Sequence, residues 1–196
     1  MVMASILSRI VSIDLLPILL FFNIFVDGTK PYYHQKYFSK EKLTHLHFYF
    51  HDSMSPTNFT VVQVAAAPRR NGSTAMVNSI TEFGSVMISD DPLTETPDPS
   101  SKVVGRAQGL SSSVSQSDTT ILMAFNLVFT TGKFNGSTIS ILGRNSIYAS
   151  KVREMPVVGG SGVFRFARGY VLMKTYALDV KNLRATVEYD VYVWHY

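Results

Sequence analysis

The sequence predicts an all-β fold, an eight-stranded antiparallel β-barrel, on three observations. Runs rich in Val, Ile, Phe and Thr recur at roughly even spacing, each bounded by Gly, Pro, Asn or Ser. The segments between them carry no apolar stripe of helical period, so the crossover helices of a parallel sheet are missing. The runs also alternate, which gives each strand one apolar face, and eight such strands close into a barrel that holds side chains or one small ligand. A two-sheet sandwich is the competing architecture.

The first 28 residues read as a secretory signal peptide, with Arg9 near the start, an apolar run from Leu15 to Val26, and Val26-Asp27-Gly28 ahead of a cut. That run is short for a membrane span. Residues 29–42 are polar, basic and aromatic without a period, as expected of a flexible arm, and the domain is expected over 43–196. Its first strand, Thr44 to Asp52, places Leu46, Phe48, Phe50 and Asp52 on one face and His45, His47, Tyr49 and His51 on the other. Further strands are predicted at Phe59–Ala67, Glu82–Ser89, Lys102–Leu110, Thr120–Thr130, Ser137–Gly143, Val163–Thr175 and Arg184–Trp194. Phe134-Asn135-Gly136-Ser137 predicts a hairpin with a type I′ turn. In Lys151–Tyr170, Pro156 and the glycines of Gly159-Gly160-Ser161-Gly162 predict a bend. Beyond it Phe164, Phe166, Arg168 and Tyr170 fall on one side of a strand.

Composition narrows the chemistry. A charged fraction of 16% is low and an aromatic fraction of 12% generous, which suits an apolar cavity. The net charge of +4 comes without a Lys/Arg run, so nucleic-acid binding is not expected. The chain has no cysteine, which excludes disulfides, thiol catalysis and thiolate metal ligands. Sequons at Asn58, Asn71 and Asn135 fit an exported glycoprotein.

The histidines His45, His47 and His51 have the spacing of a metal-binding strand. No second motif supplies the remaining ligands, so no metal and no cofactor are expected. The glycine tetrad lacks the following helix that a phosphate cradle needs, and reads as a turn. Asp52 ends an apolar face, where desolvation raises a carboxyl pKa and makes it a candidate general acid, although aspartate is also common at turns. Arg153 is a candidate for holding a phenolate, or else a surface partner of Glu154, Asp90 or Asp91. No nucleophile elbow or Ser-His-Asp order is present.

The segments LHFYFHD (Leu46 to Asp52), DDPLTE (Asp90 to Glu95), VGRAQG (Val104 to Gly109), FNGSTISILGRN (Phe134 to Asn145) and VREMPVVGGSGVFRFARGY (Val152 to Tyr170) resemble plant dirigent proteins, as does the ending VEYDVYVWHY. The resemblance runs from about Leu43 to Tyr196, and the phrasing GRN and VREMPVV is similar to the subgroup that includes pterocarpan-forming members. It implies a secreted, apoplastic homo-oligomer, a trimer in the family, with a dimer also considered. It also implies a barrel pocket that orients phenoxy radicals or quinone methides from a phenolic substrate. Oxidation is left to a separate laccase or peroxidase. An enzyme that itself dehydrates its substrate to a quinone methide is the alternative it implies. The family's pocket aspartate falls on Asp52 and its pocket arginine on Arg153, with Phe48 and Phe50 as apolar walls. A second pocket aspartate of lignan-forming members falls on Asn145, and Ser111, Ser112 and Ser113 stand where those members carry aromatics. A carbohydrate-binding protein without chemistry is a further reading, which an exposed aromatic platform would favour.

Overall fold

The structure is a computed structural model that describes residues 40–66 and 82–196. The predicted signal peptide, most of the arm and Asn71 lie outside the described residues. Among those described, nine strands follow in chain order: β1 (Lys42–Ser53), β2 (Val61–Ala65), β3 (Val86–Thr94), β4 (Val103–Ser113), β5 (Thr120–Phe129), β6 (Thr138–Ser146), β7 (Val152–Ser161), β8 (Arg168–Asp179) and β9 (Arg184–His195). Every neighbour pair is antiparallel, in the order β1-β9-β8-β7-β6-β5-β4-β3-β2, and a β1–β3 pairing closes a ring of eight. The ninth strand, β2, takes over the β3 edge where β1 leaves it. β1 meets β3 at Phe50↔Leu93, whereas β2 meets it from Val61↔Ser89 onward. Thr60 stitches this seam, its N–H donating to Ser53 O at 2.7 Å and its carbonyl accepting from Asp90 N at 2.9 Å.

The eight-stranded barrel is as expected, but its membership differs. β7 falls on the stretch expected to bend, and β2 is the strand outside the ring. Pro156 does not break β7, because its ring points outward, over Gly143, at a ladder that is already irregular. A proline at such a place removes no needed hydrogen bond. The period of two was present, with Arg153, Met155 and Val157 buried and Val152, Glu154, Pro156 and Val158 exposed.

Two connections repeat one geometry. A 3-10 turn at Gly132–Phe134 leads through Asn135 (φ −50°, ψ 131°) to Gly136 (φ 78°), and another at Gly162–Phe164 leads through Arg165 (φ −58°, ψ 134°) to Phe166 (φ 61°). In each, the residue after the last closes back on the phenylalanine carbonyl: Ser137 N to Phe134 O at 2.9 Å and Ala167 N to Phe164 O at 3.0 Å. Both are type II turns. The Asn-Gly pair therefore does not make the type I′ turn expected of it, because the chain arrives through a helical turn rather than directly from a strand. Phe166 sits in the corner and is exposed, so it does not share a face with buried Phe164. Glycine is required at 160, where a Cβ would lie 2.6 Å from both Thr138 O and Phe164 O.

The two turns fold their phenylalanines over one end of the barrel. The Phe134 and Phe164 rings lie 4.9 Å apart, Phe129 packs beneath both, and Phe48 rests between Phe129 and Tyr189 at 6.2 and 5.7 Å. That end is sealed by aromatic packing, and the opposite end stays open.

Candidate functional site

Strand parity decides what faces the barrel axis. On β1 the alternation carries Phe48, Phe50 and Asp52 inward, with Asp52 one residue from the strand's end. On β7 it carries Arg153 inward near the strand's start. Antiparallel order puts the end of β1 and the start of β7 at the same, open end of the ring. There a cavity of about 570 Å³ opens, with Phe50, Phe125, Met123 and Met173 as apolar walls and Asp52, Asn145 and Arg153 as polar groups. Its size is that of sites for single organic ligands, roughly 300–1,000 Å³.

Of the sequence-predicted residues, Phe50, Asp52, Asn145 and Arg153 meet in this cavity. Phe48 does not line it. It is buried below, 2% exposed, as part of the aromatic seal. Asn58 and Asn135 are exposed, Asn58 in the β1–β2 loop and Asn135 at its turn tip. His51 does not join His45 and His47 at the surface: its Nε2–H donates to Thr94 Oγ1 at 2.7 Å, and Thr186 approaches Nδ1 at 3.3 Å. Burial lowers its pKa. Asp91 is no surface partner of Arg153, while Asp90 faces out and pairs with Arg106.

Asp91 is the residue that sequence reasoning missed. The strand containing it was expected to end at Ser89, but β3 runs on to Thr94, and its parity buries Met87, Ser89, Asp91 and Leu93. Asp91 is wholly buried; the Thr60 hydroxyl donates to Oδ1, and Oδ2 has no hydrogen-bond partner. Burial first, and the neighbouring Asp52 carboxylate second, push its pKa up to about 8. Burial alone pushes Asp52 up to about 6. Two carboxyl groups that resist charging therefore sit at one end of an apolar barrel. Tyr189, fully buried on the cavity floor, has its phenol pKa raised by burial and by the charge of Asp91.

Arg153 is held from two sides, Nη1 donating to Ile147 O and Nη2 to Thr175 Oγ1, both at 3.0 Å. Its Nε–H is left without a partner, as is Asn145 Oδ1, whose amide nitrogen lies 3.1 Å from Met123 Sδ. Buried polar atoms without partners are uncommon in folded proteins. Here one buried donor and one buried acceptor belong to side chains that line the same cavity as Asp52.

A closed antiparallel barrel, sealed by aromatics at one end and opening at the other onto an apolar cavity with few convergent polar groups, has the architecture of the small barrels whose interior can hold one small ligand. Residues 43–194 match the family model described as Dirigent-like protein, and the chain belongs to the dirigent protein family. It is 56% identical over 167 residues to Dirigent protein 1 of Arabidopsis thaliana, covering 85% of each chain. It is 49% identical over 159 residues to Pterocarpan synthase 1 of Glycyrrhiza echinata, covering 81% of each. A solved pterocarpan synthase dirigent protein superposes with a TM-score of 0.73 at 47% identity, over 81% of this chain and 93% of that one.

Proposed function

We propose that this protein is a secreted stereodirector of phenoxy radical coupling. It binds a phenolic radical or quinone methide in the open-ended cavity and sets the face on which the new bond forms. A separate laccase or peroxidase supplies the radical. The observation that supports this most is the meeting of Asp52, Asn145 and Arg153 in one apolar cavity. Arg153 offers its guanidinium charge from the cavity wall to a phenolate-like oxygen, the aromatic and methionine walls fix the ring plane and exclude water, and Asp52 hydrogen-bonds or protonates a quinone-methide oxygen. Selectivity asks little of such a site, since about 1.4 kcal/mol between two competing transition states gives tenfold preference. The proposed setting is the apoplast, with the protein assembled as a homo-oligomer.

A second reading is favoured by the raised pKa of Asp52, about 6, which keeps a proton available in mildly acidic solution. In a dehydration, the bond from carbon to a benzylic hydroxyl breaks as Asp52 protonates the leaving oxygen, which departs as water. The phenol's own proton then returns to the Asp52 carboxylate, leaving a quinone methide to be closed by an internal hydroxyl. This is the chemistry a pterocarpan synthase would need, and proteins of that name are about half identical to this chain.

One experiment separates the readings. Simple phenols and a hydroxyisoflavanol are incubated with the protein, with and without a laccase, and products are resolved by chiral chromatography. Enantiomeric excess that requires the laccase supports the stereodirector. Turnover of the hydroxyisoflavanol without any oxidase overturns it in favour of the dehydratase. Racemic products and no turnover under every condition reject both.

A further inference from the structure

The outer face of the barrel carries a group of side chains that the cavity chemistry does not use. His45-x-His47 on β1 has a metal-binding spacing that nothing in the sequence completes, and the strand register supplies the completion. His47 lies directly opposite Asp190 of β9, Tyr49 opposite Glu188, and Tyr192 opposite His45. A His-x-His thus faces a Glu-x-Asp, all four side chains pointing away from the cavity. One ligand atom each from His47, Glu188 and Asp190 lie within 4.8 Å of one another. A tetrahedral zinc ion with bonds of about 2.0–2.2 Å places its ligand atoms about 3.4 Å apart. His47 Nδ1 lies 3.0 Å from Asp190 Oδ1, whereas the 3.8 Å approach to Glu188 Oε1 is made by Nε2 on the other side of the ring, so only one of these two contacts can become a ligand pair as it stands. Closing the set on one ion requires the exposed His47 ring to present one nitrogen to both half-buried carboxylates, which already lie within 4.8 Å of it.

His45 stands behind this trio. Its Nε2 lies 2.7 Å from Asp190 Oδ1, and its ring stacks on Tyr192 at 4.5 Å, so it orients the carboxylate from a fixed position. Partners of this kind, hydrogen-bonded to a ligand, tune metal affinity. Lys174 stands on the other side, its Nζ 3.3 Å from Glu188 Oε2, and competes with a cation for that carboxylate. Mixed imidazole and carboxylate donors suit borderline divalent ions such as zinc better than calcium or magnesium, which prefer oxygen alone.

We infer that His47, Glu188 and Asp190 form an exposed binding site for a divalent transition cation of the zinc class, with His45 as the residue that orients Asp190 and solvent in the remaining position. The site spans the ladder between the first and last strands, so occupancy is expected to stabilise the barrel.

The test is isothermal titration of the metal-free, full-length protein with zinc chloride, with magnesium chloride as the oxygen-preferring control. One zinc per chain is expected, together with a rise in Tm, and no comparable magnesium binding. His47→Ala, Glu188→Gln and Asp190→Asn should each abolish this binding, while His45→Ala weakens it about 10–100-fold. Lys174→Met should tighten it, a change of sign that general loss of structure does not produce. Circular dichroism establishes that each variant is folded. Absence of one-to-one zinc binding by the parent protein overturns the inference, and so does binding that survives both His47→Ala and Asp190→Asn, or that magnesium matches.

Discussion

Replacing Asp52 by Asn should make the protein more stable at neutral pH. Among the described residues no hydrogen bond or ion pair to Asp52 offsets its burial, and its pKa rises from an ordinary 3.8 to about 6 for that reason alone. A carboxyl group with a raised native pKa holds its proton more tightly folded than unfolded. Between about pH 4 and pH 6 the unfolded chain therefore binds fewer protons than the native one, and stability falls as pH rises through that window. Above pH 6 the accumulated cost levels off. At 1.36 kcal/mol per pH unit, the interval between 3.8 and about 6 corresponds to about 3 kcal/mol, as an upper estimate because the site opens to solvent. Asparagine has nearly the same shape and no charge to bury. Asp52→Asn should thus be close to neutral at pH 4 and stabilising by up to about 3 kcal/mol at pH 7, a Tm gain of about 6–12 °C for a chain of this size. Urea unfolding of both proteins at pH 4, 5.5 and 7, followed by tryptophan fluorescence, measures the gap. A gap that stays constant with pH, or an Asp52→Asn protein less stable at pH 7, refutes the reasoning. A stabilised variant that has lost stereoselectivity or turnover would mark Asp52 as a group kept for function at the expense of the fold.

Further outcomes follow from the same geometry. Arg153→Lys should lower product enantiomeric excess or turnover at least tenfold while leaving the Tm within a few degrees, because one ammonium nitrogen cannot span Ile147 O and Thr175 Oγ1 as the two Nη atoms of the planar guanidinium do. Phe48→Ala should cost about 3–5 kcal/mol in urea unfolding, since it empties part of the aromatic seal, and the surviving folded protein should keep its ligand preference. Gly160→Ala should destabilise by about 1–3 kcal/mol, because the added methyl meets two backbone carbonyl oxygens that cannot move independently. Asp91→Asn should extend the pH range of stability upward, the native barrel no longer losing stability as pH rises towards 8; thermal melts from pH 5 to 8.5 measure this.

The alternation of β1 was legible in the chain because its periodicity is local: Phe48, Phe50 and Asp52 share a face whatever the fold. For the same reason the barrel class and most strand positions could be derived from the chain, and Asp52 could be placed on the apolar face of β1, with a turn position as its competing reading. The resemblance to dirigent proteins added Asn145 and gave Arg153, a candidate whose direction local pattern left open, a place in the pocket. Where local cues conflicted, they misled. Pro156 and Gly159-Gly160 hid β7, since the irregular ladder with β6 that tolerates them is a property of two strands and not of one. The corner at Phe166 reversed an alternation that looked continuous, because Gly162 begins a helical turn whose need arises only from how β7 must join β8.

Local pattern in the chain thus dictates the apolar faces and the ends of strands on which the polar groups fall. Which of those groups meet depends on how the strands pair. Register and ring closure brought Asp52 of β1 and Arg153 of β7 to one cavity, buried Asp91 beside Asp52, and set His45 and His47 against Glu188 and Asp190. The physical reason is that facing is set by a two-residue period within a strand, whereas meeting is set by hydrogen-bonded pairing between strands far apart in sequence.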